Sequence, residues 1–264
     1  MYKRPERIWI GLAAVHAREL CKDTERAKRI ARLIFDERWP RAFSKWHVQP
    51  FGGTGLDVIA GRLPPNPLQE VEAKLSASTT HWVDLQTPGE AWHCVSIQPG
   101  ATEDPRPAQS HASLALEKLK DPPGDVSRWV PLAHDLVLAL GARNATITVA
   151  PSGDVISDVW NTYVPAPNNH LCIMGDVARN HEARLHLGTK YARYPRWGTY
   201  LHPEHVAAIG GREQIAREVE PVVFEEVGDL LYIQLTAGIE DAWTPLMWEK
   251  RLKLRELMQP ILVS

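Results

Sequence analysis

The stretch from Tyr194 to Thr236 constrains the fold most, because its residue types leave few choices. Trp197 to Leu201 is a short run with Trp, Thr and Tyr, the composition of a strand. Pro203 then suits the first position of a helix, and Glu204 sits at the positive end of its dipole. Gly210 and Gly211 stop that helix and start another, whose apolar side is Ile215, Ala216 and Val219. Val222 to Val227 and Leu230 to Thr236 bracket Gly228-Asp229, a pair favoured in two-residue hairpin turns.

The rest of the chain repeats these themes. Ile8 to Val15 reads as a buried strand. Lys3 and Arg4 before it loosely imitate a leader segment, but the apolar run is only about eight residues, near the short limit for one. Asp23-Thr24 caps a helix with Ala27, Ile30, Ala31 and Ile34 on one side and Arg26, Lys28, Arg29 and Arg32 on the other. Acids dilute that basic side, so a solvated face is the plain reading. Phe43 to Pro50 is expected as a strand, FGGTG at 51–55 as a turn, and Leu68 to Leu75 as a short helix. His81 to Leu85 and Ala91 to Gln98 flank turn chemistry at 87–90 and read as a hairpin. Val126 to Leu140 is a helix closed by Gly141. Ala145 to Val149 and Val155 to Trp160 are expected to pair as a second hairpin, followed by a loop at 161–169 and a short apolar piece from Leu171 to Met174. Thr244-Pro245 caps the last helix.

The expected class is therefore α+β, with antiparallel sheets and helices packed on one face. Leu63 to Gly100 and Pro203 to Gly238 both read helix, strand, turn, strand, each with a helix to follow (126–140 and 245–260), and WHCVSIQPG and LLYIQLTAG occupy matching places. A single domain over 1–264 with two similar halves, 1–125 and 126–264, fits this pattern. Of the residues, 44% are hydrophobic and 23% charged, which excludes a disordered chain. Three Cys at irregular spacing make no disulfide framework and fit a reducing, cytoplasmic setting. No run approaches the roughly 20 apolar residues of a membrane-spanning helix.

Short chemical motifs are sparse. His181-Glu182-Ala183-Arg184-Leu185-His186 nearly spells a zinc-protease helix, but its histidines are five apart, about 140° around a helix, and do not share a face. His202-Pro203-Glu204-His205 could serve a metal or acid–base chemistry, yet it also reads as an ordinary helix start. His93-Cys94 and His170-Leu171-Cys172 lack paired-cysteine spacing. A metal-dependent hydrolase using His181, Glu182, His186, His202, Glu204 or His205 is the alternative function these clusters allow. No phosphate loop, calcium loop or nucleophile-elbow serine is present.

Charge offers more. From Glu218 to Asp241 there are seven acids and no Lys or Arg, although the whole chain carries only −2. Glu225, Glu226 and Asp229 surround one hairpin; Glu240 and Asp241 follow it. A negative surface of this kind attracts a basic partner and speeds its association. Trp243 is the aromatic placed to anchor such a contact.

RWGTYLHPEHVAAIGG, the hairpin ending LLYIQLTAG and the terminal helix LRELMQPI resemble bacterial type VI secretion immunity proteins. The nearest family is the one that includes immunity proteins against VRR-Nuc nuclease toxins. The likeness rests on Trp197-Gly198-Thr199, Leu201, the Gly210-Gly211 break and the apolar hairpin strand, and covers about the last 70 residues; the first half matches only in element order. It implies an α+β protein that is no enzyme, holds no metal or other cofactor, and binds a cognate toxin without touching nucleic acid or membrane. Glu225, Glu226, Asp229, Glu240, Asp241 and Trp243 are the expected contact residues, on the charge argument above.

Overall fold

The computed structural model describes residues 8–39, 42–50, 59–87, 93–100, 107–116, 124–150, 161–165, 171–176 and 185–262. The first half contains β1 (Ile8–His16), α1 (Thr24–Ile34), β2 (Lys45–Pro50), β3 (Ile59–Arg62), α2 (Pro67–Leu75), β4 (Thr80–Gln86), β5 (His93–Ile97) and β6 (Ala108–Leu116). The second contains α3 (Gly124–Leu140), β7 (Asn144–Ala150), β8 (Asn161–Pro165), β9 (Leu171–Asp176), β10 (Gly198–Leu201), α4 (Pro203–Ala208), α5 (Gly211–Val219), β11 (Val223–Val227), β12 (Leu230–Gln234) and α6 (Pro245–Leu257).

Ten strands form one antiparallel sheet in the order β11-β12-β10-β7-β1-β6-β5-β4-β2-β3, and β8 pairs separately with β9. The expected α+β class is what the chain adopts. The two helix–hairpin units lie toward opposite ends of this sheet. β5 pairs next with β6, which follows it in the chain, whereas β12 pairs next with β10, which precedes it.

The helices divide between the two faces, where the sequence reading expected one. Residues directly opposite each other on neighbouring strands share a face, and successive residues alternate. Tyr200 lies opposite Tyr232 and Ala145, so all three share one face. His134 of α3 packs its ring on both tyrosines, at 5.6 and 4.7 Å. α1 packs against α3 and α2 against α1, so these helices lie on that side. Phe224 lies opposite Ile233, one step out of phase, and Arg212 of α5 stacks on Phe224 at 5.1 Å. α4 and α6 both pack against α5, on this second face. Each group of helices follows its own apolar stripe, and β12 is apolar on both sides: all five of its residues are buried. A strand apolar on both faces needs cover on both.

Local signals explain most elements. Asp23 accepts the Arg26 N–H at 3.0 Å and caps α1. Thr244 does the same for Met247 at the start of α6. α3 ends in a Schellman close, with Gly141 N–H on Leu138 O and Ala142 N–H on Val137 O, both 3.1 Å. Trp129, Leu132, Leu136, Val137 and Leu140 of α3 are buried, each side chain worth about 1.5–3 kcal/mol of transfer.

One element differs from the sequence reading. β7 pairs with β1 along its whole length and with β10 over Asn144–Ile147, so its described partners come from distant parts of the chain. Val155 to Trp160 itself lies outside the described residues. Asn161–Pro165 is a strand, not a loop, held by β9. The FGGTG turn also lies outside the described residues.

Candidate functional site

β11 is the outermost strand at its end of the sheet, and the Gly228-Asp229 turn joins it to β12 with Val227 opposite Leu230. Gly228 has φ +60°, and a Cβ there would lie 2.5 Å from Leu138 Cδ2. The turn therefore favours glycine for its backbone conformation, while the Leu138 methyl can give way to a Cβ.

Strand alternation separates the two glutamates that the sequence joins. Glu226 falls on the α5 side, where it accepts from Arg212 at 2.7 Å while the guanidinium covers Phe224. This pair is exposed and contributes no more than about 1 kcal/mol. Glu225 lies opposite Tyr232, on the α3 side, and is exposed. Beneath it the Tyr200 hydroxyl and His134 Nδ1 are hydrogen-bonded at 2.9 Å, and the Tyr232 hydroxyl donates to Gln234 Oε1 at 2.9 Å. Burial raises both tyrosine hydroxyls above their ordinary range, and the Glu225 carboxylate adds to it. Burial lowers the pKa of His134, partly offset by Glu225 and Asp135.

Asp229 stands on the rim of an open pocket of about 390 Å³. Val137, Leu138, Ala142 and Leu230 form its apolar lining. Glu240, Asp241 and Trp243 lie elsewhere, in a 3-10 turn (Ile239–Trp243) beyond the other end of β12. The five residues of β12 that lie between this turn and Asp229 span roughly 17 Å at 3.3 Å per residue. Asp241 is engaged in the fold: its carboxylate accepts the Gly238 N–H at 3.2 Å, and its carbonyl accepts from Thr244 Oγ1 at 2.7 Å. Glu240 is exposed and Trp243 half-buried. The six expected contact residues thus occupy three places, and Glu225 and Asp229 are the pair that share the α3 side.

The histidine clusters also separate. His202 Nδ1 lies 3.8 Å from Glu204 Oε2, and Glu204 accepts from Arg143 at 3.3 Å. His205 turns inward, and burial lowers its pKa. His186 is exposed, and its carbonyl closes a turn by accepting from Lys190 and Tyr191. His181 and Glu182 lie outside the described residues. Among the described residues, no group of three or more His, Cys, Asp or Glu is placed to hold a metal ion.

Register reveals polar groups that sequence reasoning missed. His47, Asp84, Ser96 and His111 stand side by side across β2, β4, β5 and β6. His47 Nδ1 is 3.1 Å from Asp84 Oδ2. Burial pushes His111 down to about 4 and the nearby Cys94 thiol up to about 12, which leaves both uncharged at neutral pH. His16 Nε2 and Ser110 Oγ are 2.7 Å apart, with His16 Nδ1 on the Ala17 carbonyl at 2.8 Å. This has the connectivity of a serine–histidine dyad, but both residues are 1% exposed, so neither offers a reactive atom to a substrate. The only sequence signal for these groups was polar residues at alternate positions of β6, and it has meaning only once the strand partners are known.

No family model matches the chain, and no curated protein matches it. Among solved structures, the chain is similar to the Pseudomonas aeruginosa T6SS protein PA0821, with 14% identity and a TM-score of 0.56 over 97% of this chain and 73% of that one. The two share a fold along nearly the whole of this chain. Among the described residues, no helix is long and apolar enough to cross a membrane.

Proposed function

We propose that this chain is a non-enzymatic immunity protein of a T6SS, which binds a cognate antibacterial toxin in the cytoplasm and blocks its active site. The observation that carries this reading is the edge hairpin: Glu225 and Asp229 stand exposed on its α3 side. An acidic surface built on a formed hairpin binds without paying for its own ordering. The fold likeness to a T6SS protein supports the setting. A nuclease is a fitting toxin, because its substrate groove is basic in order to meet phosphates and carboxylates can occupy that groove. Contact residues differ between cognate pairs, since specificity requires unlike surfaces.

The test is co-expression in a bacterial host with the product of each reading frame that flanks this gene, the toxin being the one whose expression alone arrests growth. The chain should restore growth and co-purify with that product in a defined ratio. Growth arrest unrelieved by co-expression, with no complex recovered, would sink the proposal.

A further inference from the structure

The pocket at the β11–β12 turn deepens this reading and rests on it. Asp229 stands on its rim, and the carbonyl end of α3 closes one side through Val137, Leu138 and Gly141. That end is the negative pole of a helix of 17 residues with no basic residue in its last turn. Two arginines lie near, and each has its own carboxylate. Arg143, which lines the pocket together with His202, donates to Glu204 at 3.3 Å, and Arg26 beside Gly141 is 3.4 Å from Asp23. Among the described residues no cation is paired with Asp229. Leu138 and Leu230 supply an apolar wall beside that carboxylate, and Leu138 is one of few large apolar side chains left exposed.

We infer that this pocket is an arginine-binding site, filled in the complex by an arginine side chain of the toxin. The aliphatic stem lies along Leu138 and Leu230, and the guanidinium meets Asp229 at the negative end of α3. A planar fork of donors can serve both oxygens of one carboxylate, which an ammonium group matches less well.

The experiment titrates the full ¹⁵N-labelled chain with acetyl-leucyl-arginine amide and with its uncharged citrulline counterpart. The arginine peptide should give saturable amide shifts at Leu138, Gly228, Asp229 and Leu230. Its affinity should exceed that of the citrulline peptide by about tenfold, the factor one charge-assisted contact supplies. Asp229→Asn should remove that preference; asparagine suits this exposed turn position, so the fold is kept. Leu138→Ser tests the stem contact independently and should also weaken binding. Equal binding of the two peptides, or arginine shifts indifferent to both substitutions, would overturn the site. Toxin binding is measured beside it. Toxin held equally by the unaltered chain and by Asp229→Asn overturns the pocket and leaves the immunity reading standing. Peptide shifts as expected with no toxin binding support the pocket's chemistry and overturn the immunity reading.

Discussion

Glu225 and Glu226 are adjacent in the chain but stand on opposite faces of β11, and their charges have different fates. Glu226 already has Arg212 at 2.7 Å, whereas among the described residues no Lys or Arg is paired with Glu225, which lies opposite Tyr232. Reversal to lysine should therefore separate them. Glu225→Lys should slow toxin association by about tenfold at low salt, and Glu226→Lys should change it less than half as much on a logarithmic scale; stopped-flow measurement at two salt concentrations reads both. Gly228→Ala should destabilise the protein by about 1 kcal/mol in urea denaturation, chiefly from the positive φ, since the exposed Leu138 methyl can move aside. Histidine burial sets a pH dependence. Burial lowers His16 from 6.5 to about 4, so between those values the unfolded chain binds more protons than the folded one. The stability this group lends is complete above pH 6.5 and is lost as pH falls toward 4. Moving from pH 7 to 5 should cost about 2 kcal/mol for this group alone, and His111 should add a similar amount. Urea titrations at both pH values check the sum, and His16→Gln should flatten its share.

Elements with strong local signals were legible from residues alone. The Asp23 cap, the paired glycines between α4 and α5, and the Gly228-Asp229 turn each satisfy a local rule, and each appears where that rule places it. β6 was not legible: AQSHASLAL has no large apolar residue in its first six positions, and its strand character comes from the neighbours β1 and β5. β7 was legible as a strand, but its pairing with β1 and β10 was not, since both partners lie far away in the sequence. The acidic site was legible as a charge count and not as geometry, because alternation and a 3-10 turn distribute its members over three places. Trp129 shows how much one element carries. It is fully buried where α3 meets the core, and Trp129→Ala should cost about 3–5 kcal/mol in the same denaturation assay.

At the scale of the molecule, one sheet joins the two halves. β1 of the first pairs with β7 of the second over seven residues, and α1 packs on α3. Separated fragments 1–125 and 126–264 would each expose the β1 or β7 edge and lose one side of the helical layer. Neither fragment should unfold cooperatively alone, while the full chain should show one calorimetric transition whose calorimetric and van't Hoff enthalpies agree. The same continuity makes the β11 end a rigid platform for a partner. The proposed function centres on this platform capturing a basic toxin through its α3-side carboxylates. The most direct measurement is the association rate of the toxin identified by co-expression with the double variant Glu225→Lys/Asp229→Lys, set beside Glu240→Lys at the far end of β12. The predicted result is a rate at least about tenfold lower and a weaker salt dependence for the first, with the second close to the unaltered protein. Unchanged kinetics in the double variant, or an equal loss at Glu240, would contradict it.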